Sequence, residues 1–378
     1  MSDPSTRRHA EVRVDLSAVR DNVRALRGRT SAEVLAVVKA DGYGHGLLPC
    51  ARAAVAGGAT WLGTALVDEA LALRAAGITE PRVLAWLLGP GERCAEAIGA
   101  DIDVSVNAAW ALEDVVAAAR EAGSTARVHL KVDTGLSRGG ATEADWPELV
   151  TAAGKAAAAD EVEVVGIWSH FAYADAPGHP TIARQVAAFT EAVDAARRLG
   201  VDPPLRHLAN SAATLTLPEA HFDLVRPGIA VYGLTPVPPE PYGLVPAMTL
   251  RSRVALVKRV PPGTGVSYGH VHTTDRETGL ALVPLGYADG VPRAATAVGP
   301  LWLGGRRRTV TGRVCMDQFV VDIGDDEVAA GDEVVLFGPG HDGEPTAQEW
   351  ADVLGTISYE IVTRVGARVP RTYTGGCP

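Results

Sequence analysis

Lys39 ends an apolar run, Val34-Leu-Ala-Val-Val38, and opens the segment Ala-Asp-Gly-Tyr43-Gly-His-Gly. An amine at the rim of an apolar element is poorly solvated, which lowers its pKa and makes it a candidate Schiff-base nucleophile. Taken alone, a lysine whose ammonium reaches solvent is the plainer reading. Lys39 has company, however. Lys131 and Arg138 bracket Lys-Val-Asp-Thr-Gly-Leu-Ser-Arg, and His170 and His207 each follow a short strand-like run. His207 leads into Asn210-Ser211, and Arg226 precedes Pro-Gly228. Cationic and titratable groups repeated at such run ends predict an anionic ligand, for example a phosphate plus a carboxylate. Ser211 and the backbone N–H groups near Gly228 are candidates for the phosphate. The glycines around Tyr43 permit a sharp turn beside a ligand. For His207 a second reading stands open, a buried histidine bonded to a neighbouring strand.

Those run ends need elements to position them. Strands are predicted at Glu33–Lys39, Trp61–Leu66, Arg82–Leu87, Ile102–Val106, Arg127–Val132, Val162–Ser169, Pro204–Leu208 and Phe222–Val225. Helical stripes at Leu48–Ala56, Asp68–Ala76, Ala109–Ala122, Asp145–Ala159 and Ile182–Leu199 alternate with them. About eight strands interleaved with helices predict an α/β fold, a (β/α)8 TIM-type barrel over 12–245. An open doubly wound sheet alternates too, and only the strand count favours closure. In a barrel, strand C-terminal ends gather at one mouth, where active sites form. After Pro236–Pro246 the helical period disappears, and a mostly β C-terminal domain is predicted over 246–378. Its strands are expected at Leu250–Val260, Gly279–Leu285, Thr309–Ile323 and Asp332–Phe337, with a helix at Ala347–Leu354. An early strand at 11–15 is a candidate to pair with that domain.

Composition narrows the function classes. The 378 residues are 47% hydrophobic and 21% charged, with a formal net charge of −10. That balance is globular and argues against nucleic acid or an anionic membrane as partner. The basic run Arg306-Arg307-Arg308 reads as a solvated hairpin turn. Cys50, Cys94, Cys315 and Cys377 show no CxxC spacing, so neither zinc nor a disulfide framework is expected. Residues 1–12 lack the apolar core of a signal peptide, and no apolar run approaches the ~20 residues of a membrane span. A cytoplasmic protein is expected.

Taken in order, the motifs resemble those of the bacterial, pyridoxal-phosphate-dependent alanine racemases. The likeness begins at Val-Val-Lys39-Ala-Asp-Gly-Tyr43-Gly-His-Gly and continues through Lys131-Val-Asp-Thr-Gly-Leu-Ser-Arg138, His207-Leu-Ala-Asn210-Ser211 and Arg226-Pro-Gly228-Ile229. It ends with Gly-Val-Ser-Tyr268-Gly, Pro-Leu-Gly-Tyr287-Ala-Asp-Gly, Cys-Met316-Asp317 and Ile-Ser-Tyr359-Glu, so it covers essentially the whole chain. Each motif is moderately specific; the ordered set is strongly so.

The resemblance implies pyridoxal 5'-phosphate on Lys39, which would also serve as the base on the D-alanine face. Tyr268, reaching in from the other subunit of a homodimer, would serve the L-alanine face. Arg138, and Met316 from the other subunit, would bind the substrate carboxylate. Tyr43, Ser211, Gly228, Ile229 and Tyr359 match phosphate-binding positions, and Asn210 and His170 join the cofactor set. Arg226 would face the pyridine nitrogen and keep it unprotonated, because a guanidinium does not readily release a proton. A chain Tyr268–His170–Arg226–His207 would help Tyr268 lose its proton. Lys131 matches a position often carbamylated, where it would fix Arg138; Asp317 is a supporting residue. Tyr287, with Arg293, Arg313, Asp175 and Ile357, matches the corridor by which substrate arrives. Leu136 and Gly140 depart from the commoner pattern near Arg138. The product, D-alanine, would supply cell-wall peptidoglycan. A decarboxylase of related architecture and a non-catalytic cofactor carrier on a bare barrel are the rival readings.

Overall fold

The eight predicted barrel strands are all present in the computed structural model, which describes residues 9–376. The strands are β2 (Glu33–Val37), β3 (Trp61–Thr64), β4 (Arg82–Ala85), β5 (Asp103–Val106), β6 (Ala126–Lys131), β7 (Val162–Trp168), β8 (Leu205–His207) and β9 (Leu224–Val225). They form one parallel sheet in the order β8-β7-β6-β5-β4-β3-β2-β9. The segments Trp-Leu-Gly-Thr of β3 and Asp-Val-Ser-Val of β5 are buried throughout. Burial on both faces is what a helix-covered parallel sheet demands. Between β8 and β9 no ladder forms. There the seam is held by single backbone bonds, Asp223 N–H to Arg206 O at 3.0 Å and Arg226 N–H to Ala209 O at 2.9 Å. The sheet is thus a nearly closed barrel, with Ala-rich helices such as Ala109–Ala122 and Pro180–Arg198 between its strands.

The described residues divide into two compact units: 19–42 with 47–244, and 9–18 with 43–46 and 245–376. The second is mostly β. Its nine-stranded sheet runs β11 (Leu256–Val260), β14 (Thr278–Val283), β17 (Phe319–Gly324), β16 (Arg306–Thr311), β15 (Pro300–Leu303), β18 (Glu333–Phe337), β10 (Met248–Arg253), β1 (Ala10–Asp15) and β19 (Arg371–Thr374), while β12 (Gly265–Val266) and β13 (His272–Thr273) pair separately around Tyr268. β1 pairs antiparallel with β10 and parallel with β19, which places the early strand in this unit.

Several expectations need correction here. The single strand expected at Leu250–Val260 is two, because β10 pairs with β18 while β11 pairs with β14. The run Thr309–Ile323 is likewise two strands joined by a loop. Arg306, Arg307 and Arg308 lie in β16, not in a turn. Arg308 is nearly buried and ion-paired to Asp326, and Arg307 pairs with Glu349. Short helices at Cys94–Gly99, Ser211–Thr216 and Ser358–Thr363 were too brief to give a periodic signal. Cys50, Cys94 and Cys315 are free thiols. Cys377 and residues 1–8 lie outside the described residues. Among the described residues no helix is long and apolar enough to cross a membrane.

Candidate active site

Lys39 follows β2 and enters a left-handed turn. Ala40, Asp41 and Gly42 have φ of 53, 53 and 60°. Non-glycine residues rarely adopt this region, and such strain persists only where surroundings hold it. Glu69 does much of the holding: its Oε1 accepts from Ala40 N at 2.6 Å, and its Oε2 accepts from Ala65 N and Leu66 N. The Lys39 amine lies 5.8 Å from the centre of the Trp86 ring. Burial first, then the charge of Arg138, lowers its pKa, against a smaller opposing pull from Glu69.

Lys131 ends β6, its Nζ 4.5 Å from the centre of the Trp168 ring. Burial, then Arg138 and Arg226, push it down to about 8. Arg138 is exposed on the loop after β6. Asp133 Oδ1 organises that loop by accepting from the backbone N–H groups of Gly135, Leu136 and Ser137. Gly140, a departure from the commoner pattern, is required by this fold. Its φ is +122°, and a Cβ there would lie 2.7 Å from Asp133 N.

Arg226, just beyond β9, is buried, and burial pushes its pKa down to about 9, so it stays charged at neutral pH. Its Nη2 donates to Ser169 O at 2.7 Å and lies 3.5 Å from His170 Nδ1. Its Nη1 meets His207 Nδ1 at 3.0 Å. Burial, then Arg226, hold His170 and His207 well below the usual imidazole range. The His170–Arg226–His207 part of the expected chain is therefore present. His207 is also bonded to His129 on β6, the next strand but one in the sheet.

Ser211 is buried, and its Oγ accepts from Gly228 N at 2.7 Å and from Ala230 N at 3.3 Å. Ile229 is wholly buried. Asn210 caps the helix that Ser211 begins, its Oδ1 accepting from Ala213 N at 3.1 Å.

In the β unit the rings of Tyr43 and Tyr359 lie 6.2 Å apart. Burial first, then Tyr359, raises the Tyr43 pKa. Gly44, one of the glycines around Tyr43, has φ of +80° as a sharp turn requires, and a Cβ there would lie 2.5 Å from Val362 O. Tyr268 is 72% exposed. Its neighbours Ser267 and Gly269 have φ of 60 and 69°, and Ser267 Oγ donates to Arg313 O at 2.7 Å. Met316 and Tyr287 are exposed too, on loops bonded through Tyr287 N to Cys315 O and Ala288 N to Met316 O. Asp317 pairs with Arg368 at 2.8 Å.

Sequence reasoning missed Trp86, Trp168, Glu69, His129 and Asp103. A signal existed for two of them: His129 stands two residues before Lys131 on the same strand, and Asp103 interrupts an apolar run.

A parallel barrel with a half-buried amine, a buried guanidinium and histidines at its strand ends has the make-up of a barrel enzyme with a cationic cluster at the strand ends. Comparison with known proteins specifies which. Residues 14–236 match the family model described as alanine racemase, N-terminal domain, and 247–373 match alanine racemase, C-terminal domain. A curated relative from Frankia casuarinae, named alanine racemase, is 65% identical over 95% of each chain. The crystal structure of alanine racemase from D-cycloserine-producing Streptomyces lavendulae superposes with a TM-score of 0.96 at 58% identity, covering 98% of both chains. The enzyme from Bacillus anthracis with bound L-Ala-P gives 0.89 at 36% identity, over 97% of this chain and 95% of that one. The chain belongs to the alanine racemase family. It is an enzyme of the isomerase class, and a carrier built on a bare barrel is set aside because both family domains match.

Proposed function

We propose that the chain interconverts L- and D-alanine by a two-base mechanism, as a cytoplasmic homodimer with pyridoxal 5'-phosphate held on Lys39, and supplies D-alanine for cell-wall peptidoglycan. The donor set fits that cofactor. A lysine amine of lowered pKa suits its aldehyde, and the buried Ser211 hydroxyl, whose Oγ accepts from Gly228 N and Ala230 N, keeps its own O–H to donate to a phosphate. The charged Arg226, which has no acceptor, suits an unprotonated ring nitrogen. Bound there, the cofactor would draw electrons from the substrate Cα and loosen its proton.

Lys39 Nζ takes or returns that proton on one face. Tyr268 Oη of the partner subunit does so on the other. A single base would tend to return the proton to the side it left, so inversion needs both. Arg138, with the loop ordered by Asp133, orients the substrate carboxylate, joined by the N–H of Met316 of the partner subunit. Lys131, among Arg138, Arg226 and Lys39, carries a carbamate that relieves the repulsion between these cations. Tyr43 and Tyr359 add phosphate contacts, Asn210 and His170 steady the cofactor set, and Tyr287 lines the approach. Tyr268 and Met316 of the partner subunit, with Tyr359, would crowd the side-chain side of the substrate, which favours alanine; serine is the alternative to assay.

The observation that carries this reading is the lowered-pKa amine of Lys39 in the same barrel unit as the buried, charged Arg226. The 72% exposure of Tyr268 supports the dimer: a phenol that acts as a base must be covered by another molecule. The test is a visible absorption band of the purified protein that disappears in Lys39→Ala. In Tyr268→Phe, exchange of the α-proton of L-alanine falls by about 10²–10⁴-fold, the usual worth of a general base, while exchange from D-alanine survives. Carbon dioxide released from a basic amino acid, without interconversion of alanine, would support the decarboxylase instead.

A further inference from the structure

Arg226 is one end of a longer buried chain. His207 Nε2 lies 2.9 Å from His129 Nδ1, and His129 Nε2 lies 3.1 Å from Asp103 Oδ2. Asp103 Oδ2 also accepts from Arg82 Nη2 at 2.6 Å, and its Oδ1 from Arg127 Nε at 2.6 Å. His129, His207 and Asp103 have no solvent exposure. From the geometry we infer that Asp103 and His129 are positioning residues whose proton order, fixed at both ends, holds His207 as an acceptor toward Arg226.

The order follows from donor and acceptor chemistry. A guanidinium only donates, so His207 Nδ1 must offer its lone pair. A neutral His207 then carries its proton on Nε2 and donates to His129 Nδ1. His129 in turn carries its proton on Nε2 and donates to Asp103. Starting from the other end gives the same answer, since an ionised carboxylate only accepts. Burial opposes ionisation of Asp103, but the hydrogen bond from His129 and the charges of Arg82 and Arg127 hold it below the usual carboxylate range. An imidazolium at His129 would donate to both neighbours, turn His207 around and set N–H against N–H at Arg226.

The barrel is built to admit this chain. The β6–β7 register shifts between Val128 and His129, which brings Gly166 opposite His129. A Cβ at Gly166 would lie 2.6 Å from His129 Nδ1, so only glycine leaves that nitrogen room to meet His207. Trp61 packs edge-on to the His129 ring, and Trp168 stacks on His207 with an interplanar angle of 2°. These rings keep water from offering the imidazoles other partners. Water would blur the order.

The consequence for Arg226 deepens the function proposed above and rests on it, but the chain itself is measured without activity. Nitrogen-15 spectra of the full-length, histidine-labelled protein are expected to show both His129 and His207 neutral, each protonated at Nε2. In Asp103→Asn the NH2 replaces one of two oxygens, Oδ1 facing Arg127 or the Oδ2 that Arg82 and His129 share. Where it replaces Oδ2, both rings move their protons to Nδ1, and the Arg226 contact is lost. An Nδ1–H or imidazolium form of either ring in the unsubstituted protein would overturn the inference, whatever the folding of the variant. If the rings are as expected but no visible band or racemisation is found, the function fails and the chain stands. Racemisation with the wrong tautomers would do the opposite, leaving the function in place and removing the proton order.

Discussion

Glu69 Oε1 accepts a 2.6 Å hydrogen bond from the backbone N–H of Ala40, the residue after Lys39. The same carboxylate binds Ala65 N and Leu66 N, so it ties the strained turn to the loop after β3. In Glu69→Ala, these N–H groups lose their acceptor, and the turn loses its tie to the loop after β3. A charged hydrogen-bond partner contributes about 1.5–3 kcal/mol, so thermal unfolding should move down accordingly. The visible band should weaken as well, because Lys39 is no longer aimed. A variant with an unchanged band and melting temperature would show the turn to be self-supporting.

Lys131, pushed down to about 8, carries a neutral amine in about half of molecules near pH 8. A neutral amine adds carbon dioxide. Enzyme kept in carbonate-free buffer should lose activity and regain it with bicarbonate, and a carbon-13 carbamate signal should follow labelled bicarbonate. Activity indifferent to bicarbonate, with no such signal, would count against the carbamate.

Asp133 orders the loop that carries Arg138 by accepting three N–H bonds on one oxygen. Asp133→Ala should raise KM for alanine more than it lowers kcat, since Arg138 is expected to bind and not to move protons. Roughly a tenfold rise corresponds to about 1.4 kcal/mol of lost binding. Steady-state kinetics in both directions decide it. A fall in kcat at constant KM would assign Arg138 a different task.

His129 and His207 are buried and kept neutral: burial lowers both, and the Asp103 hydrogen bond only partly offsets this at His129. The unfolded chain protonates histidines near 6.5, so below that pH it binds more protons than the folded form. Their neutral burial therefore costs nothing above about 6.5 and destabilises progressively as pH falls. Each group adds up to about 1.4 kcal/mol per pH unit. Urea midpoints at pH 7.5 and 5.5 should differ accordingly, and less so in His129→Leu. Equal pH slopes for the variant and the parent would contradict this.

Much of the barrel was legible because its signals are local. The buried strands Trp61–Thr64 and Asp103–Val106, and the stripe Ala109–Ala122, carry their period in consecutive residues. The C-terminal sheet was less so. Nothing local marks where Leu250–Val260 must break, since the break exists only because its halves pair with β18 and β14. Arg308 was misplaced for a related reason: its ion pair with Asp326 is a tertiary fact, as is the close approach of Gly140 to Asp133.

By itself the sequence determined the types of the reactive groups and the strands that bear them: Lys39, Lys131, His170, His207 and Arg226 each sit at or just past a strand end. Only the tertiary structure decided how their protons are arranged. Asp103, His129 and His207 belong to β5, β6 and β8, and the link runs across the barrel through a register shift opposite Gly166. Hydrogen bonds between residues so far apart in the chain depend on barrel closure and inter-strand register, which no local pattern of residues encodes.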